Sequence, residues 1–197
     1  ILIMEYSKII TNSLEESSLI NKDSTIDQNF IKQLEAASSL LIDTFRNNGK
    51  LLLAGNGGSA ADCQHIAAEF IGRLNFDREP LPAIALTANT SNITCIANDY
   101  GYENIFSRQI KALAGINDAL IVYTTSGKSK NIINAVIEAR SKVKSIISLT
   151  GSFTDDLRKY SDVLISVNAS KTTRIQEIHA IAGHIMCECV EETLFNN

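Results

Sequence analysis

Five short apolar runs, separated by longer segments of mixed polarity, constrain this chain more than any other feature. They are KLLLA (50–54), PAIAL (82–86), ALIVY (119–123), SIISL (145–149) and DVLIS (162–166). Runs without polar alternation are strands buried on both faces, and strands that alternate with helices build a parallel sheet covered on each side. Helices are expected near 59–73, 103–114, 128–141 and 154–160, with a long final helix over 172–194. Ahead of the first strand, residues 5–20 and 27–48 read as helices. In the second of them Phe30, Ile31, Leu34, Leu41 and Phe45 recur at helical intervals, and Asn47-Asn48-Gly49 ends it. The 197 residues therefore read as one α/β domain (1–197): an N-terminal helical arm (4–48), then a core with its C-terminal helix (49–197).

Composition excludes several roles. The net charge is −4 with no lysine- or arginine-rich run, which argues against direct nucleic-acid binding. No stretch approaches the length of an apolar membrane span. The opening ILIMEYSK is too short and turns polar too early for a signal peptide, and Met4 reads as a candidate initiator. Cys187 and Cys189 would stand about 200° apart on a helix, which suits neither a disulfide nor a shared metal. With Cys63 and Cys95 they read as buried or half-buried free thiols of a cytoplasmic protein.

Open parallel sheets bind ligands beyond the carboxyl ends of their strands. Two runs end in loops suited to that. Gly55-Asn56-Gly57-Gly58-Ser59-Ala60 formally satisfies the dinucleotide pattern G-x-G-x-x-G/A. That pattern also wants an acidic residue at the end of the next strand, where Leu86-Thr87-Ala88 stands, while Asp77 and Glu79 precede the strand. Gly127-Lys128-Ser129 fails as a P-loop because Val122 occupies the first required glycine. What remains there is TTSGKS, with Thr124, Thr125, Ser126 and Ser129 where a strand hands over to a helix. One hydroxyl suffices for an N-cap; four favour a phosphate dianion held by hydroxyls and helix-terminal N–H groups.

The three histidines are His65, His179 and His184. His65 and Glu69 fall one helical turn apart, directly after the glycine-rich turn. Taken alone, such a pair marks a solvated helix face more often than a ligand pair; its place after a phosphate-type loop favours the ligand role. On the final helix, Gln176 and His184 lie eight residues apart, about 80° around the axis, so two long side chains can converge. Two imidazoles, a carboxylate and an amide oxygen suit zinc.

GNGGSAADCQHIAAEFIGR, IANDYG, TTSGKS and RIQEIHAIAGH together resemble the sugar-isomerase (SIS) domain family, and within it the members that isomerise sedoheptulose 7-phosphate. The resemblance runs over almost the whole chain. It implies a five-stranded parallel sheet in a three-layer αβα sandwich, assembled as a homotetramer with active sites between subunits. The implied product is D-glycero-D-manno-heptose 7-phosphate, on the way to the heptose of bacterial lipopolysaccharide. One Zn2+ per site would be held by His65, Glu69, Gln176 and His184, with Glu69 and His184 as the acid–base pair. The phosphorylated sugar would meet Asn56, Gly57, Gly58, Ser59, Glu69, Arg73, Asn98, Asp99 and Gln176, and its phosphate Thr124, Thr125, Ser126 and Ser129.

Three positions depart from that pattern. Thr124 replaces a serine, Lys128 replaces an asparagine and would add positive charge near the anion, and Thr173 replaces an aspartate whose loss would weaken catalysis. The alternative is a non-enzymatic relative that binds the replication initiator DnaA. QHIAA, PAIAL, IANDY and the ending EETLF lean towards it, with Leu194 and Phe195 as an apolar pair for a partner or as closure of the last helical turn. That relative lacks equivalents of Glu69 and His184, so the complete ligand set favours the enzyme.

Overall fold

β1 (Leu51–Gly55), β2 (Ala83–Ala85), β3 (Ala119–Thr124), β4 (Ser145–Thr150) and β5 (Val163–Ser166) form one parallel sheet in the order β2-β1-β3-β4-β5. The computed structural model describes residues 6–196, so residues 4 and 5 of the expected arm lie outside the described residues. Each strand matches its apolar run to within one residue at either end. Every residue of β1, β3 and β4 is buried, the condition that removes polar alternation from a central strand. Along them side chains alternate between layers: Leu51, Leu53, Ile121 and Tyr123 enter one core, Leu52, Ala54, Leu120 and Val122 the other.

The first core is closed by α2 (Gln28–Arg46), α3 (Gly58–Ile71) and α8 (Thr172–Phe195), through residues such as Leu41, Phe70 and Met186. The second is closed by α5 (Ser107–Leu113) and α6 (Lys130–Ala139), through Ile110, Ile132 and Val136. The five-stranded, three-layer α/β expectation holds. Of the two helices expected in the arm, α2 packs seven buried residues, Phe30 to Phe45, into the molecule. α1 (Tyr6–Ile26) buries none. Its half-buried Ile20 packs against the first core, and polar contacts tie it to α8 and the residue before it: Ser17 Oγ donates to Glu177 at 2.8 Å and Lys171 pairs with Glu16 at 2.7 Å.

The structure corrects the sequence reading at four points. α4 (Thr90–Tyr100) is a helix the sequence reading leaves out, because its apolar stripe is only the half-buried Ile93, Ile96 and Ala97. Its end signals are present: the Asn89 side chain accepts from Asn92 N–H at 3.0 Å, and Gly101 follows at φ +88°. The helix expected over 103–114 is a 3-10 turn, Tyr102–Asn104, followed by α5, and that over 154–160 is the single turn α7 (Asp155–Arg158). All four cysteines are free, but Cys95 is exposed on α4 rather than buried. Among the described residues no helix is long and apolar enough to cross a membrane.

Leaving β1, the chain pairs β2 on one side while β3 pairs on the other. Connections diverge at such a switch point and open a crevice beyond the strand ends.

Candidate active site

That crevice is present. A cavity of about 300 Å³ is lined by Asn56, Gly57, Gly58 and Ser59 after β1, by Tyr123, Thr124, Thr125, Ser126 and Ser129 after β3, and by Thr172 and Gln176 of α8. α3, α6 and α8 all begin at it, and none has a side-chain hydrogen bond capping its N-terminus. First-turn N–H groups left without side-chain caps can hold an anion through backbone alone. Thr124 Oγ1 accepts from Gly127 N–H and Ser126 Oγ from Lys128 N–H, each at 3.2 Å. Both hydroxyls thus shape the loop and keep their own protons to donate. The Gln176 amide lies across the first turn of α3: a Cβ at Gly58 would come 2.5 Å from Gln176 Nε2.

Asn56 is fixed from both sides. Its Nδ2 donates to Asn131 Oδ1 at 2.9 Å, while its Oδ1 accepts from Asn131 Nδ2 at 2.8 Å and from the Tyr102 hydroxyl at 3.0 Å. This pairing joins the β1 loop to the first turn of α6. Asn131 and Tyr102 are residues the sequence reading missed. Lys128 does not line the cavity; its Nζ sits 4.3 Å over the Phe153 ring, so it braces the loop. Thr173 and Arg73 are exposed, and so are Asn98 and Asp99 on α4, where Asn98 Nδ2 donates to the Asp99 carboxylate at 2.7 Å. None of these four lines the cavity of a single chain.

Further along α3, His65 Nε2 lies 2.8 Å from His184 Nε2 and 3.4 Å from Glu69 Oε1, and one ligand atom from each residue falls within 4.8 Å of the others. The imidazoles meet edge to face, their planes 81° apart. Helix periodicity stacks His65 on Glu69, and α8 supplies His184 across the gap. Gly183 beside it permits that approach, since a Cβ there would come 2.7 Å from Ile66 Cδ1. Two imidazole nitrogens and a carboxylate oxygen this close together suit an N/O-ligated cation such as zinc better than calcium or magnesium, which take oxygen.

His179 is not part of this group. It is fully buried, its Nε2 3.3 Å from the Thr150 carbonyl and its Nδ1 without a partner. Burial pushes its pKa down to about 4, so it is neutral at physiological pH. The sequence reading also missed Arg78 and Glu191, a buried ion pair at 3.1 Å beneath the end of α3. Burial raises the Glu191 pKa, but the N–H groups of Leu74 and Asn75 and the Arg78 guanidinium outweigh it and hold the carboxyl below its ordinary value.

The profile of the SIS domain matches residues 16–151. The phosphoheptose isomerase of Burkholderia pseudomallei (strain 1710b) is 46% identical over 186 residues, covering 94% of this chain and 94% of that protein. That of Sulfurimonas denitrificans is 44% identical over 190 residues, covering 96% and 97%. Among solved structures, a phosphoheptose isomerase from Neisseria gonorrhoeae superposes with a TM-score of 0.88 at 36% identity, over 95% of this chain and 99% of that one. One from Francisella tularensis gives 0.89 at 32% identity, over 96% and 100%.

Proposed function

The chain belongs to the SIS-domain family, and from that premise we propose that it converts sedoheptulose 7-phosphate to D-glycero-D-manno-heptose 7-phosphate. The observation that carries the proposal is the convergence of Glu69 and His184 along the helix whose first turn lines the anion cavity. His65 follows Ser59 by about 9 Å along the α3 axis, so a sugar with its phosphate at one end can present its other end to this group.

In this reading the phosphate takes N–H groups from the first turns of α3, α6 and α8, together with the hydroxyls of Thr124, Thr125, Ser126 and Ser129. The Glu69 carboxylate removes a proton from C1 and returns one to C2. The His184 imidazole protonates the C2 carbonyl oxygen and takes the proton from the C1 hydroxyl, which becomes the aldehyde. A carboxylate and an imidazole at positions matched to the two carbons and their oxygens meet the demands of an enediol route. His65, Glu69, Gln176 and His184 would hold zinc, which when bound polarises the carbonyl and steadies the negative charge that develops on oxygen.

Assembly as a homotetramer would cover Tyr6, Ile9, Ile10, Leu14 and Leu19, which α1 leaves exposed. The four free thiols suit the reducing cytoplasm, and the product is a precursor for lipopolysaccharide heptose. The initiator-binding alternative gains nothing from the C-terminus, because Leu194 and Phe195 pack against the chain's own core. Glu69→Gln and His184→Gln should each lower kcat by about a thousandfold while circular dichroism and melting temperature stay close to the parent's. Turnover within tenfold of the parent in either variant would refute its assigned role.

A further inference from the structure

We infer that Arg78 and Glu191 form a clasp that positions Glu69 against His184 for catalysis, an inference that rests on the isomerase reading above. Arg78 returns beneath the end of α3. Its Nη2 donates to the Glu69 carbonyl at 2.8 Å, its Nη1 to the carbonyls of Phe70 at 2.7 Å and Gly72 at 3.3 Å, and its Nε to Glu191 Oε1 at 3.1 Å. Glu191 in turn accepts from the N–H groups of Leu74 at 3.0 Å and Asn75 at 2.7 Å. The two side chains are 3% and 1% exposed, and the Phe195 ring lies 5.6 Å from the guanidinium.

The last carbonyls of a helix have no partner within it. Here one planar guanidinium satisfies several at once, among them the carbonyl of the residue whose side chain does the proton transfer. A lysine ammonium cannot reproduce that fork. Glu191 stands seven residues after His184, two turns along nearly the same face of α8. The face that presents His184 to Glu69 therefore also presents Glu191 to Arg78, and the clasp ties the Glu69 backbone to the helix that carries its catalytic partner.

Stability alone is a weak reason for such a pair. Burying two charges carries a heavy desolvation cost, and two apolar side chains would hold α3 on α8 without it. Apolar side chains could not hold the Glu69 carbonyl in place. The anion cavity lies at the opposite end of α3, so a loosened clasp should impair proton transfer and spare phosphate binding.

Arg78→Lys and Glu191→Gln in the full, zinc-loaded protein test this. We expect kcat to fall tenfold or more, KM for sedoheptulose 7-phosphate to stay within twofold, and the zinc Kd from chelator competition to weaken by at least tenfold. Val143→Ala, in the core on the other face of the sheet, serves as the control for general destabilisation. Kinetics and zinc affinity within twofold of the parent, or losses matched by Val143→Ala at equal loss of melting temperature, would overturn the clasp. Should Arg78→Lys fail to fold, Glu191→Gln, which keeps the shape of the side chain, decides alone. Zinc affinity is read without substrate, so a parent protein that bound zinc but turned over no sugar would defeat the isomerase reading while leaving the clasp to be judged on metal binding.

Discussion

His179 has no exposed surface and donates into the end of β4 instead of into the active site. Its pKa is about 4 folded, against an ordinary value near 6.5, so the unfolded chain takes up a proton over a range where the native state refuses it. Stability should therefore be full above about pH 6.5 and decline as pH falls towards 4. By pH 4.5 this one group should have cost about 2 to 3 kcal/mol. Urea unfolding at pH 7.5 and 4.5 checks it: His179→Gln should shrink the difference by that amount, and an unchanged difference would refute the assignment. Single residues were legible in the sequence to very different degrees. His65 and Glu69 were readable because a helix turns four residues of spacing into contact. Arg78 and Glu191 were not: they lie 113 positions apart, and in a sequence they look like any solvated charges. Asn56 was readable as a loop residue, but the pairing that occupies its carboxamide depends on Asn131, which only the fold brings close.

In the proposed reading the elements that matter most for binding are the starts of α3, α6 and α8, gathered at one cavity. Asn131 sits in the first turn of α6 and locks the β1 loop to it. Asn131→Asp keeps the shape, removes the donor to Asn56 Oδ1 and sets a negative charge beside the anion cavity. Steady-state kinetics should show KM for the sugar phosphate raised tenfold or more with a smaller change in kcat; an unchanged KM would mean that the phosphate binds elsewhere. The strands were legible to within a residue at either end because central parallel strands, buried on both faces, read as nearly continuous apolar runs. α4 was not, since its three half-buried apolar residues lie in a polar, β-branched stretch and its exposed face carries most of the sequence signal. The outer helix α1 shows the same limit in reverse. Its apolar residues predict a helix, but most of them stay exposed in a single chain, with only Ile20 half-buried against the core.

At the scale of the molecule, the order β2-β1-β3-β4-β5 fixes the crevice, and α3 and α8 run from it to the His65–Glu69–His184 group. The proposed reaction thus puts anion binding at one end and proton transfer farther along the same pair of helices. The claim that this arrangement carries a proton between adjacent carbons has a direct measurement. Zinc-loaded protein is incubated with sedoheptulose 7-phosphate in D2O and followed by proton NMR. The account predicts that the aldose 7-phosphate appears and that part of it carries solvent deuterium at C2. Zinc bound in stoichiometric amount, with the ketose left unchanged and unlabelled, would contradict it.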